Sequence, residues 1–405
     1  MSGKCKERAD VGYAWVIVAA AFVMQGCAVG VFSGFGVFLE YYTNDVFPNE
    51  EKSKVAMIGN LTPFVLGMGS ILTGRICQRF GVQVCIFLGA IFMMLGLVLA
   101  SFGSQVWHFV LTQGILVGFG GALIFVPANV AITEWFETKR GLAAGIGASG
   151  GGIGGAVFGQ LNTLLLKHVG LEWALRVNGC VVFVVLLLSA AMVRRRETQS
   201  ADGKADSFDM SLVLNGRFIW FVISAFFGGC AYLIPLYFIN NYAISIGMTR
   251  AQAGYAGAAI NLGSAIGRVS IGFLSDHTGH LRCCILAVGL TTLASCIWCF
   301  SSSFAMLVVF GIAYGIPSGG YAGGFGPVCA IVFGKRQLAT MMGLSYSFVG
   351  VGELLGPIMC GHLIDTFHNY QFIIYYTISG YALAFLAVCL AYYFTIVSPP
   401  PQAPL

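Results

Sequence analysis

The longest polar stretch of this chain reads RRRETQSADGKADSFDMSLVLNGR and covers residues 194–217. On either side of it lie long apolar runs, separated by short loops that carry most of the charges. Of the 405 residues, 58% are hydrophobic and only 9% are charged, whereas about a quarter of an ordinary soluble domain is charged. A soluble fold could not bury so much apolar surface, so the sequence predicts an integral membrane protein in the lipid bilayer.

Twelve apolar runs are long enough to cross a membrane, since a spanning helix needs about 20 apolar residues. Six precede the polar stretch and six follow it, which predicts an all-α polytopic fold with two six-helix halves, 1–193 and 216–405, joined by a cytoplasmic linker at 194–215. The predicted spans lie near residues 14–40, 55–73, 84–102, 107–133, 141–166, 172–193, 216–246, 252–275, 282–301, 304–333, 339–365 and 371–396.

Lys and Arg are distributed unevenly between the two sides of this predicted bundle. With a cytoplasmic N terminus, fifteen of the 21 basic residues lie on the cytoplasmic side, five lie on the other side, and only Arg268 lies inside a span. Cytoplasmic loops of membrane proteins carry an excess of Lys and Arg. We therefore expect both termini to be cytoplasmic, in a multi-pass protein of the plasma membrane.

Several function classes are not expected from the composition. The net charge of +5 comes with no basic face, so nucleic acid is not an expected partner. The group His277, His280, Cys283 and Cys284 matches no usual zinc spacing, so neither a metal nor another cofactor is expected. No nucleophile–base pair lies at membrane depth, and we do not expect an enzyme.

Two pairs of loops indicate that the halves are copies of one another. GRICQRFG at 74–81 follows the second span, and GFLSDHTG at 272–279 follows the eighth span, 198 residues later. WFETKRGLAAG at 135–145 and VFGKRQLATMMG at 332–343 precede the fifth and eleventh spans at nearly the same separation. Two unrelated anchors that agree in this way indicate a parallel duplication.

The first pair of loops resembles the G-x-L-x-D-R-x-G-R motif of the major facilitator superfamily, whose members have six-plus-six helices. The first copy has Gln78 at the Asp position, and the second keeps Asp276 but has His277 at the Arg position. The resemblance implies transport by alternating access between the halves. It also implies gating roles for Gly74, Arg79, Gly81, Gly272 and Asp276.

Three other stretches are similar to signatures of the monocarboxylate transporters within that superfamily. They are DVGYAW at 10–15, with Val11 in place of the first Gly of the signature, WFETKRGLAAGIGASGGGIGG at 135–155, and LLGPIMCGHLID at 354–365. The resemblance implies a small monocarboxylate as cargo, such as lactate, pyruvate or a short-chain acid, with a co-transported proton. The signature residues that it implicates in gating are Asp10, Gly12, Trp15, Lys139 and Arg140.

The second signature contains the formal pattern G-x-G-x-x-G at 145–150, which would indicate dinucleotide binding only after a strand. No strand is expected there. At helical spacing, Gly147, Gly151, Gly154 and Gly155 form a small-residue stripe, which predicts close packing against a neighbouring helix.

Arg268 lies in the middle of the eighth span, on a face shared with Asn261, Ser264, Ala265 and Gly272. These residues are polar or small, and we expect the face to line a water-filled cavity. An Arg at the bilayer centre costs about 3 kcal/mol on insertion scales, so an intramembrane Arg is a functional-site candidate. Such a charge needs an anion.

Two anions are candidates for Arg268: the substrate carboxylate, which a guanidinium can bind by two parallel hydrogen bonds, and Glu353 in the eleventh span. In monocarboxylate transporters an Arg at this place in helix eight is held to bind the substrate. That family often has an Asp four residues before this Arg and a Lys in helix one, where this sequence has Ser264 and Ser33. Glu353 is therefore the candidate proton carrier, and the alternative is that it only forms hydrogen bonds within the helix packing.

Further polar residues inside the spans either line the cavity or bridge helices. The predicted substrate-binding set comprises Arg268, Asn261, Ser264, Ser33, Asn129 and Tyr321. Matching Gly- and Pro-rich clusters at 118–129 and 315–327 are candidate hinges.

The combined interpretation is a proton-coupled secondary transporter of a small monocarboxylate. A dicarboxylate exchanger, a carrier of another organic solute such as a vitamin, and a non-transporting nutrient sensor remain alternatives. The sequence leaves open whether an ancillary membrane protein is a partner.

Overall fold

The computed structural model describes residues 12–136, 139–193, 215–333 and 338–397. Within these ranges the regular structure is helical, and no strand occurs there. The all-α, polytopic membrane fold expected from the sequence is confirmed. Most of the predicted linker, 194–214, lies outside the described residues, so the boundaries of the two halves stay a prediction.

The described part of the first half consists of nine α-helices and two π-helical segments. They are α1 (Tyr13–Ala28), α2 (Gly30–Ser33), α3 (Gly36–Tyr41), a π-helical turn (Tyr42–Val46), α4 (Lys52–Phe80), α5 (Val82–Ala100), α6 (Val106–Phe109), a π-helical segment (Val110–Leu116), α7 (Val117–Trp135), α8 (Arg140–His168) and α9 (Gly170–Met192).

The described part of the second half consists of six long helices. They are α10 (Gly216–Ser245), α11 (Arg250–Thr278), α12 (His280–Trp298), α13 (Phe304–Phe333), α14 (Leu338–Phe367) and α15 (Gln371–Val397). Below, the linker face of the bundle is the one at which α9 ends and α10 begins. The other face is called the opposite face.

Each predicted span coincides with one helix or with consecutive helices. Over the described residues, ten helices are long and apolar enough to cross a membrane. The number is eleven if Tyr13–Ala28 and Gly30–Val46, which meet at 42°, form one bent span. The remaining predicted span, 55–73, lies within the 29-residue helix α4.

The turns that follow the second and eighth spans have matching backbones. Gly81 ends α4 with φ of 89°, and Gly279 ends α11 with φ of 97°. Only glycine adopts this conformation at low cost. The next helix begins immediately after the glycine in both halves, as expected for a duplicated unit.

The two halves meet along two helix pairs, α8 with α11 and α4 with α14. Glycines allow the backbones to approach closely in both pairs. A Cβ atom added to Gly145 in α8 would lie 2.5 Å from the carbonyl oxygen of Arg268. One added to Gly67 in α4 would lie 2.9 Å from the carbonyl oxygen of Tyr346. Small residues at such contacts are typical of helix packing in membranes.

The two candidate hinge clusters lie inside helices. The first lies in α7, which continues through Pro127 and follows the π-helical segment, and the second lies in α13. Both helices continue through their cluster in this structure. Their role as hinges stays a prediction.

Candidate functional site

A cavity of about 140 Å³ lies between the two halves. Both halves contribute to its wall, and most of the lining side chains are apolar or aromatic. The polar and aromatic side chains in the wall are Gln25, Phe32, Phe125 and Asn129 from the first half and Tyr232, Arg268, Tyr321, Phe325, Tyr346 and Glu353 from the second.

Arg268 connects the two halves across this cavity. Its side chain belongs to α11, and only 5% of the residue is exposed. Nη1 donates a hydrogen bond of 2.6 Å to the carbonyl oxygen of Ala148 in α8, and Nη2 donates one of 3.2 Å to the hydroxyl of Tyr232 in α10. The Nε atom is buried and has no hydrogen-bond partner among the residues that the structure describes. A buried donor left unsatisfied costs about 1–3 kcal/mol, so an anion that accepts from Nε would stabilise this arrangement.

Glycines of two neighbouring helices make the space that Arg268 occupies. A Cβ atom on Gly151 in α8 would lie 2.6 Å from Nη1, and one on Gly323 in α13 would lie 3.1 Å from Cγ. The predicted glycine stripe of α8 also packs against other helices, because a Cβ atom on Gly154 would meet the backbone of Gly26. The predicted packing role of this stripe is confirmed.

Glu353 lines the same cavity from α14 and is partly exposed to it. Among the described residues, no carboxylate lies within ion-pair distance of Arg268. The Arg268–Glu353 pair, which the sequence left open as a structural alternative, is therefore not formed in this structure. The cavity brings together one cation and one carboxyl group that do not neutralise each other directly.

Two other residues of the predicted substrate-binding set also line the cavity. Asn129 in α7 uses its side-chain nitrogen to bond the carbonyl oxygen of Phe125, at 2.9 Å. The hydroxyl of Tyr321 in α13 donates to the carbonyl oxygen of Ser224, at 3.4 Å. The structure thus places Arg268, Asn129, Tyr321 and Glu353 around one volume.

Three predicted binding residues lie at helix contacts and not among the lining residues. Asn261 and Ser33 both lie where a Cβ atom on Gly155 would meet them, and the side-chain nitrogen of Asn261 bonds its own helix at Gly257. Ser264 lies against Gly319 in α13. In this structure the face of α11 that carries Asn261 and Ser264 packs against neighbouring helices, and the role of these residues in substrate binding stays a prediction. The physical reason is that glycines in α8 and α13 bring their backbones onto the small residues of α11.

The aromatic part of the wall was missed by the sequence reasoning. Tyr232, which bonds Arg268, and the rings of Phe125, Phe325 and Tyr346 were not identified as site residues. The chain contains 33 Phe and 16 Tyr, so residue type alone does not select these four. Only the packing of the two halves brings them to one cavity.

At the linker face, Asp276 connects the two halves. Its Oδ2 atom accepts a hydrogen bond of 3.1 Å from the backbone N–H of Leu142, in the first turn of α8. A carboxylate at this position also interacts favourably with the positive end of the helix dipole. Gly272 is packed against the carbonyl oxygen of Gly141 one turn earlier in α11. These contacts hold the linker-face ends of α8 and α11 together.

The other predicted gating residues lie near the linker-face ends of helices. Gly12 precedes α1 with φ of 62°, and Trp15 packs edge-on against Phe136 at 5.3 Å. Lys139 immediately precedes α8, which begins at Arg140. Gly74 lies in α4, where the Arg79 guanidinium carbon is 5.4 Å from the ring centre of Phe80 and Gly81 ends the helix. Asp10 and the side chain of Arg140 lie outside the described residues.

The opposite face carries contacts between the halves that the sequence reasoning did not find. The Oδ2 atom of Asp365, in the last turn of α14, accepts from the backbone N–H of Ser53 in α4 at 3.3 Å. Arg250 at the start of α11 bonds Glu40 at 3.2 Å and also forms an ion pair with Asp45. Both ends of the central cavity are thus crossed by polar contacts between the halves.

Known proteins resemble this chain along nearly its whole length. The family model of the Major Facilitator Superfamily matches residues 21–295 and 238–405. The chain belongs to the Major Facilitator Superfamily. It is 30% identical over 372 residues to the probable transporter MCH2 of Saccharomyces cerevisiae, which covers 90% of this chain and 78% of that protein. It is 28% identical over 360 residues to the MFS-type transporter pynF of Aspergillus niger, covering 88% of this chain and 82% of that protein.

Solved structures show the same fold. A bacterial homologue of the human lysosomal transporter Spinster, in an inward-facing and unoccupied conformation, aligns with a TM-score of 0.68. The alignment covers 96% of this chain and 99% of that chain at 17% identity. The superfamily resemblance stated from the sequence is confirmed, and the chain is a multi-pass secondary transporter of this fold. The narrower resemblance to monocarboxylate transporters stays a prediction.

Proposed function

We propose that this protein transports a small monocarboxylate, of the lactate, pyruvate and short-chain acid class, together with a proton. The observation that supports the proposal is the buried Arg268 guanidinium, which faces the central cavity without a carboxylate partner among the described residues. Intramembrane charges of this kind mark substrate and ion pathways in membrane proteins.

The available donors suit a carboxylate. The Nε atom of Arg268 has no partner, and the adjacent Nη2 atom bonds only the Tyr232 hydroxyl among the described groups. Two parallel N–H donors match the two oxygens of a carboxylate. Arg268 is the only cationic side chain among the described lining residues, so the cavity favours a monoanion over a dicarboxylate.

Binding at Arg268 would act on both halves of the transporter. Arg268 belongs to the second half and bonds the backbone of Ala148 in the first half. A substrate that draws the guanidinium toward the cavity weakens this bond between α8 and α11. Substrate occupancy is thereby linked to the contact along which the halves rock in alternating access.

Glu353 is the proposed proton carrier. It lines the same cavity on α14, and a carboxyl group in an apolar cavity is accommodated best when it is protonated or paired with a cation. Protonated Glu353 leaves Arg268 free for substrate, and ionised Glu353 pairs with Arg268 after substrate has left. The return of the empty carrier is then electrically balanced.

The remaining features of the proposal concern placement in the cell. We propose that the linker face is cytoplasmic and that both termini lie on that side, at the plasma membrane. The support is the excess of Lys and Arg in the segments on the linker side. Protons and the organic anion are the proposed partners.

The proposal is tested with purified protein in liposomes that are supplied with labelled pyruvate and an inward proton gradient. Arg268→Gln removes the guanidinium that would pair with the substrate carboxylate. Because the loss of one partner from a buried ion pair costs about 3–5 kcal/mol, uptake is expected to fall at least about 100-fold. Arg176→Gln is the matched control, since Arg176 pairs with Glu172 at 3.3 Å outside the cavity. Normal uptake by Arg268→Gln would refute anion binding at this residue.

The proton step has a separate readout. Glu353→Gln is expected to keep exchange of labelled for unlabelled pyruvate but to lose accumulation driven by the proton gradient. Accumulation that persists at the wild-type level would exclude Glu353 as the carrier and leave the anion site intact.

A further inference from the structure

Aromatic rings form a continuous wall in the central cavity. Phe125 of α7 meets Tyr346 of α14 with ring centres 5.6 Å apart at 81°. Tyr346 meets Phe325 of α13 at 5.0 Å, and Phe325 meets Tyr321 at 6.2 Å. All four rings line the cavity. Both halves of the transporter contribute to this wall.

The aromatic wall lies beside the cationic end of the site. Arg268 lines the same cavity as these four rings, and a Cβ atom on Gly323 in the same segment of α13 would lie 3.1 Å from Cγ of Arg268. The cavity therefore has a charged donor group at one place and ring faces and edges next to it. A ligand that satisfies both parts has a carboxylate joined by a short link to a flat apolar body.

The cavity has room for a six-membered ring. Its volume is about 140 Å³, and an apolar cavity of about 150 Å³ is known to hold benzene. An aromatic ring against this wall would gain edge-to-face contacts in addition to its burial, and a three-carbon acid has no ring with which to make them.

We propose that the preferred cargo is a monocarboxylate that carries an aromatic ring, with its carboxylate on Arg268 and its ring against Phe125, Phe325 and Tyr346. This inference rests on the proposed function, because it assigns the body of the same anion that Arg268 binds. It replaces the short-chain acid as preferred cargo with an arylalkyl acid.

The aromatic wall has a competing interpretation as a gate. Phe125 belongs to the first half and Tyr346 to the second, so their contact must change when the halves move apart. A gate acts on every substrate alike, whereas a ring-binding wall acts only on substrates that contain a ring. The two interpretations therefore differ in the ratio of two rates, even where each rate alone is ambiguous.

Phenylpyruvate and pyruvate form the matched pair of probes, because they differ only by the phenyl ring. Uptake of each by purified protein in liposomes is expected to give a kcat/KM at least about tenfold higher for phenylpyruvate. Phe125→Leu and Phe325→Leu are each expected to reduce this ratio at least about threefold, because they remove ring contacts that only phenylpyruvate makes. Phe92→Leu is the control, since Phe92 packs against Phe119 and is not among the lining residues.

The outcomes separate the two levels of the proposal. If the wild-type protein has the same kcat/KM for pyruvate and phenylpyruvate, and both rates depend on Arg268, the aromatic cargo is overturned. The proposed function is then unaffected. Ring variants that slow both acids equally identify the wall as a gate and also overturn the inference. If the wild-type protein moves neither acid, or if Arg268→Gln moves both acids at the wild-type rate, the proposed function itself fails.

Discussion

The two helix pairs that join the halves occupy equivalent places in the duplicated chain but are built differently. In the pair α8/α11, glycines between Gly141 and Gly155 allow close contact between the two helices. The Arg268 side chain of α11 donates a hydrogen bond to the backbone of α8. In the pair α4/α14 the close approaches are at Gly67 and Gly361, and Glu353 faces the cavity. The first pair supplies the cation of the site, and the second supplies the carboxyl group.

The pairs also differ in the end at which a carboxylate joins them. Asp276 bonds the first turn of α8 at the linker face, whereas Asp365 bonds the first turn of α4 at the opposite face. Opening toward the linker face must break the first contact, and opening toward the opposite face must break the second. The two carboxylate contacts therefore lie at different faces, so variants of Asp276 and Asp365 can be compared for an effect on one face or on the other.

The largest effect is expected from Gly152→Ala in the α8/α11 pair. A Cβ atom there would lie 2.6 Å from the carbonyl oxygen of Asn261 and 2.7 Å from the backbone nitrogen of Ala265, and neither backbone atom can move aside alone. We expect uptake to fall below about a tenth and the free energy of unfolding to fall by about 1–3 kcal/mol. Liposome uptake and thermal unfolding measure the two effects.

Gly159→Ala is the control on the same helix, because a Cβ atom there meets nothing within 4 Å. It should leave both readouts unchanged. If Gly152→Ala transports normally, α8 and α11 do not pack this closely during the transport cycle. The closer backbone packing of α8/α11 would then not distinguish this pair from α4/α14 in function.

A smaller and more specific effect is expected from Gly151→Ala. The added methyl group would lie 2.6 Å from Nη1 of Arg268, which is the end of a flexible side chain and can shift. We expect KM for the transported acid to rise about tenfold, as one lost buried hydrogen bond to a charged group would predict. The added methyl group would also lie 2.9 Å from Cβ of Val29, so thermal unfolding is measured beside KM. Gly159→Ala again serves as the control. An unchanged KM would show that the observed position of Arg268 is not its substrate-binding position.

The sequence predicted the parts of this arrangement that depend on local properties. Run lengths predict spanning helices because the bilayer sets the length, and Arg268 and Glu353 stand out because they are charges within apolar runs. Tyr232 and Tyr346 were missed because only packing between helices remote in sequence makes them lining residues. Sequence alone could not decide whether Asn261 and Ser264 line a cavity or pack against a helix, because a small polar face suits close packing as well as it suits a cavity.

A moderate effect is expected at the two carboxylates, with the same sign but at different faces. Asp276→Ala removes the acceptor for Leu142 N–H, and Asp365→Ala removes the acceptor for Ser53 N–H. Each contact at a helix N terminus is worth up to about 2 kcal/mol, so we expect about three- to tenfold faster amide hydrogen exchange in the adjacent first turn. Asp276→Ala should act on α8 and not on α4, and Asp365→Ala should do the reverse. Faster exchange at both faces in either variant would mean that the closures are not independent.

The smallest effect is expected from Arg250→Gln. The Arg250 side chain is 52% exposed, and exposed ion pairs contribute about 0–1 kcal/mol and weaken with salt. Its buried partner Glu40 keeps a hydrogen bond of 3.0 Å from Asn44 when Arg250 is removed. We therefore expect uptake to change less than about threefold, and the change to disappear in high salt.

Lys54→Gln is the control for Arg250→Gln, because Lys54 also forms an exposed pair at the opposite face, with Glu50 in its own segment. It should change nothing, since it does not connect the halves. A large, salt-resistant loss in Arg250→Gln alone would show that Glu40 needs a cation from the other half. The charge of Arg250 on α11 would then be the main contact that closes the opposite face, and the contact of Asp365 on α14 would be secondary. The closure of that face would have to be assigned to α11 and not to the α4/α14 pair.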